Sequence, residues 1–208
     1  TRSSGSGLKG MPVIRKPWLV IQYSCPSVRP CVSESARFGA GGFRPWPIAG
    51  CGRPGAPWQG PQPEDRLTFA RAALSQIVVV EPLYDGTSSW VASVLVGELV
   101  SGDGNFSSQQ GTEMVARCAL AMFYSDALVQ RSDRVSRAVT LDGHDGWLLE
   151  MHLAFDIPKL SEKGETAIFL IVQTGPGMSG IFYASIPDSR PELLAQARQL
   201  QAALRVDA

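Results

Sequence analysis

Apolar residues recur in short blocks along the chain, and their spacing predicts a strand-rich body. Strand-type runs occupy residues 66–70, 76–80 and 90–100, and four more follow in succession at 135–141, 147–157, 165–174 and 179–186. Ile168–Val172 is apolar at every position, which is typical of a central strand that is covered on both faces. Asp142-Gly143 and Gly175-Pro176-Gly177 favour hairpin turns between neighbouring strands.

Two further segments have the three- and four-residue apolar spacing of amphipathic helices. The first runs from about residue 108 to about 125 and follows a capping-box pattern at Ser107–Gln110. The second runs to about residue 205 and follows a similar pattern at Ser189–Glu192, with Pro191 in its first turn. Because hairpins give an antiparallel sheet whose apolar faces helices must cover, we predict an α+β fold: about six antiparallel strands and two main helices.

Side-chain alternation assigns the two faces of the predicted strand at 147–157. Trp147 begins the set assigned to the core, which continues with Leu149, Met151, Leu153 and Phe155. Leu148, Glu150 and His152 belong to the other set, which we assign to the solvated face of an antiparallel sheet.

The N-terminal part of the 208-residue chain differs in composition from the rest. Residues 1–63 contain eight Lys and Arg against the single acid Glu34, whereas residues 64–208 contain eleven bases and eighteen acids. Ten of the fifteen prolines also lie in residues 1–63, so we predict an irregular basic arm that lies over an acidic body. The alternative is a tail for nucleic acid, but the bases are scattered singly, and we expect no nucleic-acid partner.

We divide the chain into a linker and arm at 1–35 and one domain at 36–208. Its apolar runs are too short for a membrane span.

The four cysteines, Cys25, Cys31, Cys51 and Cys118, bear on the compartment. Their spacing does not suit zinc, and an even number in a loop-rich arm favours disulfides, hence an oxidising, extracytoplasmic location. We prefer Cys25–Cys31 and Cys51–Cys118, although the sequence allows three pairings and four reduced thiols are the alternative.

One motif resembles a known family. Leu141–Leu149 (LDGHDGWLL) is similar to the hairpin of actinobacterial extracytoplasmic domains of unknown function, and Gly180–Ser189 and Gly41–Pro47 also resemble segments of those domains. The resemblance covers about residues 36–206 and implies a Mog1/PsbP-like fold of the LpqN type, an exported location and a membrane anchor upstream. It carries no catalytic residues that could be transferred to this chain.

Candidate site residues are few, and we predict no catalytic residue, metal or cofactor. Glu150 and His152 stand side by side on one strand face and could serve a ligand or a proton transfer, although a solvated face is the ordinary expectation. His144 binds a ligand or holds its turn. Trp46 and Trp58, interleaved with arginines, form a stacking surface for ligands or anchor the arm.

Three functions are compatible with these residues. The first is a non-enzymatic extracytoplasmic module that binds an envelope protein or another partner, or a small apolar ligand. The second is a cell-envelope anchoring or assembly component whose basic arm meets anionic polymers. The third is a hydrolase or metal site around Glu150 and His152, with His144, which requires their side chains to converge on one point.

Overall fold

A computed structural model describes residues 57–67, 70–100, 107–124 and 128–206. Its elements are β1 (Gln59–Pro63), β2 (Ala70–Glu81), β3 (Trp90–Val100), α1 (Ser108–Tyr124), β4 (Gln130–Leu141), β5 (His144–Ala154), β6 (Gly164–Gly175), β7 (Met178–Pro187) and α2 (Pro191–Ala203). The predicted linker at 1–35 and the first part of the predicted domain at 36–208 lie outside the described residues, so this division stays a prediction.

The strands form one sheet in the order β1-β2-β3-β7-β6-β5-β4. Every neighbouring pair is antiparallel. Two runs of sequential strands, β1–β3 and β4–β7, are therefore joined side by side through the pairing of β3 with β7. The predicted α+β fold with an antiparallel sheet and two helices is confirmed, and the described part of the sheet has seven strands.

The two helices cover opposite faces of the sheet. Alternate residues of the central strand β6 separate into two buried clusters, Ala167, Phe169 and Ile171 in one, and Ile168, Leu170 and Val172 in the other. The first cluster contains the apolar residues of α1, and the second contains Leu193 and Ala197 of α2. Burial of both faces explains why the Ile168–Val172 run has no polar position.

A two-residue turn joins β4 to β5. Asp142 and Gly143 both have positive φ, at 49° and 86°, and the flanking residues Leu141 and His144 are partners in the strand pair. This is the type I′ turn that asparagine or aspartate followed by glycine favours, because its twist matches that of the two strands. The predicted hairpin is confirmed.

The first strands differ from the prediction. The runs at 66–70 and 76–80 were expected as two strands, but residues 70–81 form the single strand β2, with an irregular register between Arg71 and Leu74. Strand β1 lies in a proline-rich stretch that lacks strand-type residues. Strand β4 begins five residues before the predicted position, since an edge strand can carry polar residues on both faces.

One of the two predicted capping boxes is formed. At α1, the Gln110 amide donates to Ser107 Oγ at 3.3 Å, and the Ser107 amide donates to Gln110 Oε1 at 3.1 Å. At α2 the capping box is wrong: Arg190 holds the N-cap position without a side-chain hydrogen bond, and the Ser189 hydroxyl donates to Glu162 instead. Pro191 does begin the helix, as predicted.

The face assignment of β5 is confirmed for the core set and needs correction at Leu148. Leu148, which was assigned to solvent, is 7% exposed and belongs to the cluster that contains α2. Trp147 packs against the cluster that contains α1, as predicted, but it is only half-buried, and its indole N–H donates to Ser136 Oγ at 3.2 Å. Both follow from the position of β5, which is one strand from the sheet edge and has a helix on each side.

Candidate functional site

Glu150 lies on the β5 face that α2 partly covers. Its carboxylate accepts hydrogen bonds from the Arg198 guanidinium, at 2.5 Å from Nη2 and 3.4 Å from Nε. The Glu150 side chain is 13% exposed and that of Arg198 52% exposed. Glu150 is therefore engaged in an ion pair that ties α2 to the sheet.

His152 lies on the same face and has a different partner. Its Nε2 is 2.8 Å from Asp188 Oδ2, in the loop between β7 and α2. Gly164 on the neighbouring strand makes room for this pair, since a Cβ there would lie 2.5 Å from Asp188 Oδ2 and 2.9 Å from His152 Nε2. The pair connects β5 to the start of α2 across a position where only glycine fits without displacement.

His144 is directed to the strand on the other side of its hairpin. Its Nδ1–H donates to the main-chain carbonyl of Gln173, at 2.9 Å. Glu150, His152 and His144 thus have three separate partners, and the structure does not bring their side chains together. Within the described ranges, no group of three or more His, Cys, Asp and Glu residues could hold a metal ion.

Trp58 anchors the chain where it enters the sheet. It is 3% exposed, it belongs to the cluster that contains α2, and its indole N–H donates to Gln196 Oε1 at 2.6 Å. Its ring is thus occupied by intramolecular contacts. Trp46, its predicted companion, lies outside the described residues.

Cys118 is buried on α1. The other predicted disulfide candidates, Cys25, Cys31 and Cys51, lie outside the described residues. The pairings stay predictions.

A carboxylate is buried in the cluster beneath α1. Glu165, at the start of β6, has no exposed surface, and its Oε1 accepts hydrogen bonds from the hydroxyls of Tyr124 and Ser185. These two donors come from α1 and from β7. One carboxylate oxygen therefore joins the helix to two central strands.

Tyr183 lies beside this group. Burial, followed by the negative charge of Glu165, raises the pKa of the Tyr183 phenol well above its ordinary value, although a hydrogen bond with Ser185 acts in the opposite direction. At neutral pH both effects keep the phenol protonated. We therefore interpret Glu165, Tyr124, Ser185 and Tyr183 as a polar network of the core, since none of them is more than 3% exposed.

A second buried carboxylate, Glu64, lies between β1 and β2. Burial acts to raise its pKa, but hydrogen bonds and charge from Arg66 outweigh that effect and lower it. The guanidinium of Arg66 donates to both oxygens of Glu64 and lies 5.3 Å from the centre of the Phe123 ring. Arg66 thus connects the loop between β1 and β2 to α1.

Sequence reasoning missed Glu165, although the pattern contained a signal. Glu165 has the same strand parity as Ala167, Phe169 and Ile171, so alternation places a carboxylate on an apolar face of a central strand. A charged residue in that position is expected to be hydrogen-bonded, because burying it alone is costly.

The outer side of strand β4 forms an edge of the sheet that is available to other molecules. Strand β4 is terminal in the strand order, and no described residue pairs with its outer side. The strand has 12 residues, and eight of them are exposed. At the opposite edge, β1 has five residues, two of which are the prolines Pro61 and Pro63, and its register is irregular. Proline and irregularity protect an edge against further pairing, so of the two edges of the described sheet, that of β4 is the one suited to accept a strand.

The hairpin geometry determines which backbone groups of β4 point outward. In a two-residue hairpin the residues that flank the turn exchange both main-chain hydrogen bonds, and every second pair along the ladder does the same. The alternate residues Ser136, Ala138 and Thr140 therefore direct their N–H and C=O groups away from β5. All three are exposed, and the register is regular from Val135 to the turn.

Arginine side chains of β4 lie near these outward backbone groups. Arg131 is neutralised by Glu113, at 2.9 Å, and by Asp133, at 2.6 Å. Arg134 and Arg137 are exposed, and neither forms an ion pair with any residue that the structure describes. We define the open edge as the outward backbone of Ser136, Ala138 and Thr140 together with these two guanidinium groups.

Comparison with known proteins gives distant matches only. No protein-family model matches the chain, and no curated protein is similar to it. A Pseudomonas aeruginosa protein of unknown function matches with a TM-score of 0.41 and 11% identity over 64% of this chain and 81% of the other. The cyanobacterial PsbP of Synechocystis matches with a TM-score of 0.38 and 11% identity over 84% of this chain and 98% of the other. At these scores neither function is transferred.

None of the helices among the described residues is both long enough and apolar enough to cross a membrane.

Proposed function

We propose that this chain is a non-enzymatic module that binds a partner protein by adding an extended segment of that protein to the open edge of β4. The observation that carries the proposal is the row of outward backbone groups at Ser136, Ala138 and Thr140, which faces solvent at an edge without proline. Strand addition of this kind uses main-chain hydrogen bonds for affinity and side-chain contacts for specificity.

The edge favours a different protein over a second copy of this chain. If two copies of β4 paired antiparallel with Ser136 of each strand opposite Ala138 of the other, Arg137 of one copy would stand directly opposite Arg137 of the second copy. Like charges in directly opposed positions destabilise a strand pair. Covering helices on both faces of the sheet also make the edge more accessible than the apolar interior, which is why we favour a protein segment over a small apolar ligand.

Replacing Ala138 by proline tests this proposal. Proline removes an outward N–H and leaves the hydrogen bonds between β4 and β5 in place, so the fold should be retained. Peptides selected from a random display library on the wild-type domain are expected to bind the Ala138→Pro variant about tenfold more weakly or worse, because pairing is lost along the edge. Ala138→Val, which keeps the N–H, is the matched control and should bind normally.

Amide hydrogen exchange provides the second measurement. Bound peptide should slow the exchange of the Ser136, Ala138 and Thr140 amides, which otherwise face solvent. If the selected peptides bind both variants equally, or protect amides elsewhere and leave these three unchanged, the edge is not the binding site. If no peptide is enriched on the wild-type domain, the proposal fails as well.

We further propose that the module works outside the cytoplasm. The support is the sequence pattern of four cysteines, three of them in a proline- and glycine-rich segment, which is typical of disulfide-bonded exported proteins. The intact mass of native protein, alkylated before and after reduction, tests this location. Disulfides within the chain should leave at most two of the four thiols open to alkylation before reduction. Four alkylated thiols in unreduced native protein would contradict the proposal.

A further inference from the structure

We infer that the segment bound at the open edge is acidic, with carboxylates that face Arg134 and Arg137. This inference rests on the proposed function, and it specifies the chemistry of the partner. The two guanidinium groups are exposed and form no ion pair with the described residues, while Arg131 on the same strand is fully engaged by Glu113 and Asp133. The positive charge of β4 that remains for a partner is therefore concentrated at these two positions.

Arg137 and Arg134 differ in their position relative to the partner segment that pairs with β4. Arg137 lies between Ser136 and Ala138, so a residue of the added strand that opposes it would have its Cβ about 4.5–5.5 Å from that of Arg137. Arg134 occupies an irregularity of the ladder between Asp133 and Val135. A bulge of this kind re-aims a side chain and ends regular pairing, so Arg134 marks the end of the regularly paired part of the bound segment.

The charge of the N-terminal segment of this chain argues against its binding at the open edge. Residues 1–56 contain eight Lys and Arg against the single acid Glu34, so this segment would be repelled by Arg134 and Arg137. An acidic segment from another protein meets both requirements of the edge, because it supplies a free backbone and opposite charge.

An exposed leucine lies just before β4. Leu128 is 90% exposed, the most exposed large apolar side chain in the described part of the chain. An antiparallel segment that begins beside Thr140 runs past Arg134 toward this residue. An apolar residue that follows the carboxylates in the sequence of the segment would cover Leu128. This order of residues sets the direction in which the segment lies along β4.

Synthetic peptides of one length test the charge preference directly. The probe is a peptide of about ten residues that alternates Glu and Val, and its controls carry Gln or Lys in place of every Glu. Binding is measured by fluorescence anisotropy at low and at physiological salt. The Glu peptide should bind the wild-type domain about tenfold more tightly than the Gln peptide at low salt, the difference should shrink with added salt, and the Lys peptide should bind most weakly.

A single-charge variant and its matched control test the contribution of Arg137. Arg137→Gln should weaken binding of the Glu peptide about threefold and leave the Gln peptide unchanged. Arg71→Gln removes the same charge from an exposed position of β2, on the other side of the sheet, and should change neither affinity. Equal weakening by both variants would mean that net charge alone attracts the peptide, which would overturn the inference.

The Ala138→Pro variant separates this inference from the proposed function. If the Gln peptide binds as tightly as the Glu peptide and Ala138→Pro weakens both, the edge is the binding site and the acidic preference is wrong. If Ala138→Pro affects neither peptide, both the inference and the proposed function are wrong.

Discussion

Replacing Trp90 by alanine is expected to lower the free energy of unfolding by about 3–5 kcal/mol. Trp90 begins β3, has no exposed surface and packs against three other rings. Its ring centre lies 6.3 Å from that of Tyr84, 6.1 Å from that of Tyr124 and 5.2 Å from that of Phe155. The substitution therefore removes aromatic contacts and leaves a cavity that α1 and the strands cannot fill. Urea unfolding followed by circular dichroism measures the change.

Trp147→Ala is the matched control for this prediction. Trp147 is half-buried near the edge of the sheet and donates its indole N–H to Ser136 at 3.2 Å. Its loss should cost about 1–2 kcal/mol, because solvent already reaches part of the ring. If Trp147→Ala were the more destabilising of the two, the positions of these rings relative to the core would be wrong.

Replacing Glu165 by leucine is also expected to lower the free energy of unfolding by about 2–6 kcal/mol, since each of two buried donors left without an acceptor costs about 1–3 kcal/mol. The leucine has a similar size but accepts no hydrogen bond, so the hydroxyls of Tyr124 and Ser185 would lose their buried acceptor. Both donors are at most 3% exposed and cannot turn to water without local opening. Urea unfolding of the variant provides the measurement.

A double-mutant cycle with Tyr124→Phe separates the hydrogen bond from packing. Tyr124→Phe should be clearly destabilising in the wild-type protein and nearly neutral in the Glu165→Leu variant, where the hydroxyl has already lost this acceptor. The expected coupling between the two sites is about 1–3 kcal/mol. Strictly additive effects would show that Glu165 and Tyr124 do not act together.

Much of the fold could be predicted because local pattern and long-range burial agree. The helix expected from about residue 108 to 125 is observed as Ser108–Tyr124, and the strand expected at 165–174 is observed as Gly164–Gly175. The Asp142-Gly143 turn is encoded by two neighbouring residues and needs no tertiary information. In each case the residues that form the element also carry the sequence pattern that predicts it.

The errors occur where burial depends on distant parts of the chain. Alternation divided β5 correctly into two faces, but it could not show that α2, which begins some forty positions later, packs on the face assigned to solvent. Alternation assigned Trp147 to the core face, but it could not show how deeply the ring is buried, and Trp90 is the more buried tryptophan because β3 pairs with the central strand β7. Edge strand β1 carries prolines and edge strand β4 carries polar residues on both faces, so neither has much periodicity to detect.

The candidate site was the least predictable part of the molecule. His144, Glu150 and His152 lie within one hairpin strand, yet each has its partner on a different element, namely β6, α2 and the loop before α2. The open edge depends on backbone groups, whose availability is decided by strand order and not by residue type. Arg134 and Arg137 are recognisable in the sequence, but only the fold shows that neither forms an ion pair with a described residue.

The pairing of β3 with β7 has a consequence for the nascent chain. Because β7 follows all the other strands that the structure describes, β3 emerges from the ribosome with its partner still missing, and its hydrogen-bonding side stays uncovered while α1 and three further strands are made. Uncovered strands of apolar sequence are prone to intermolecular association. Translation speed over the second half of the chain therefore sets how long this protein is exposed to aggregation.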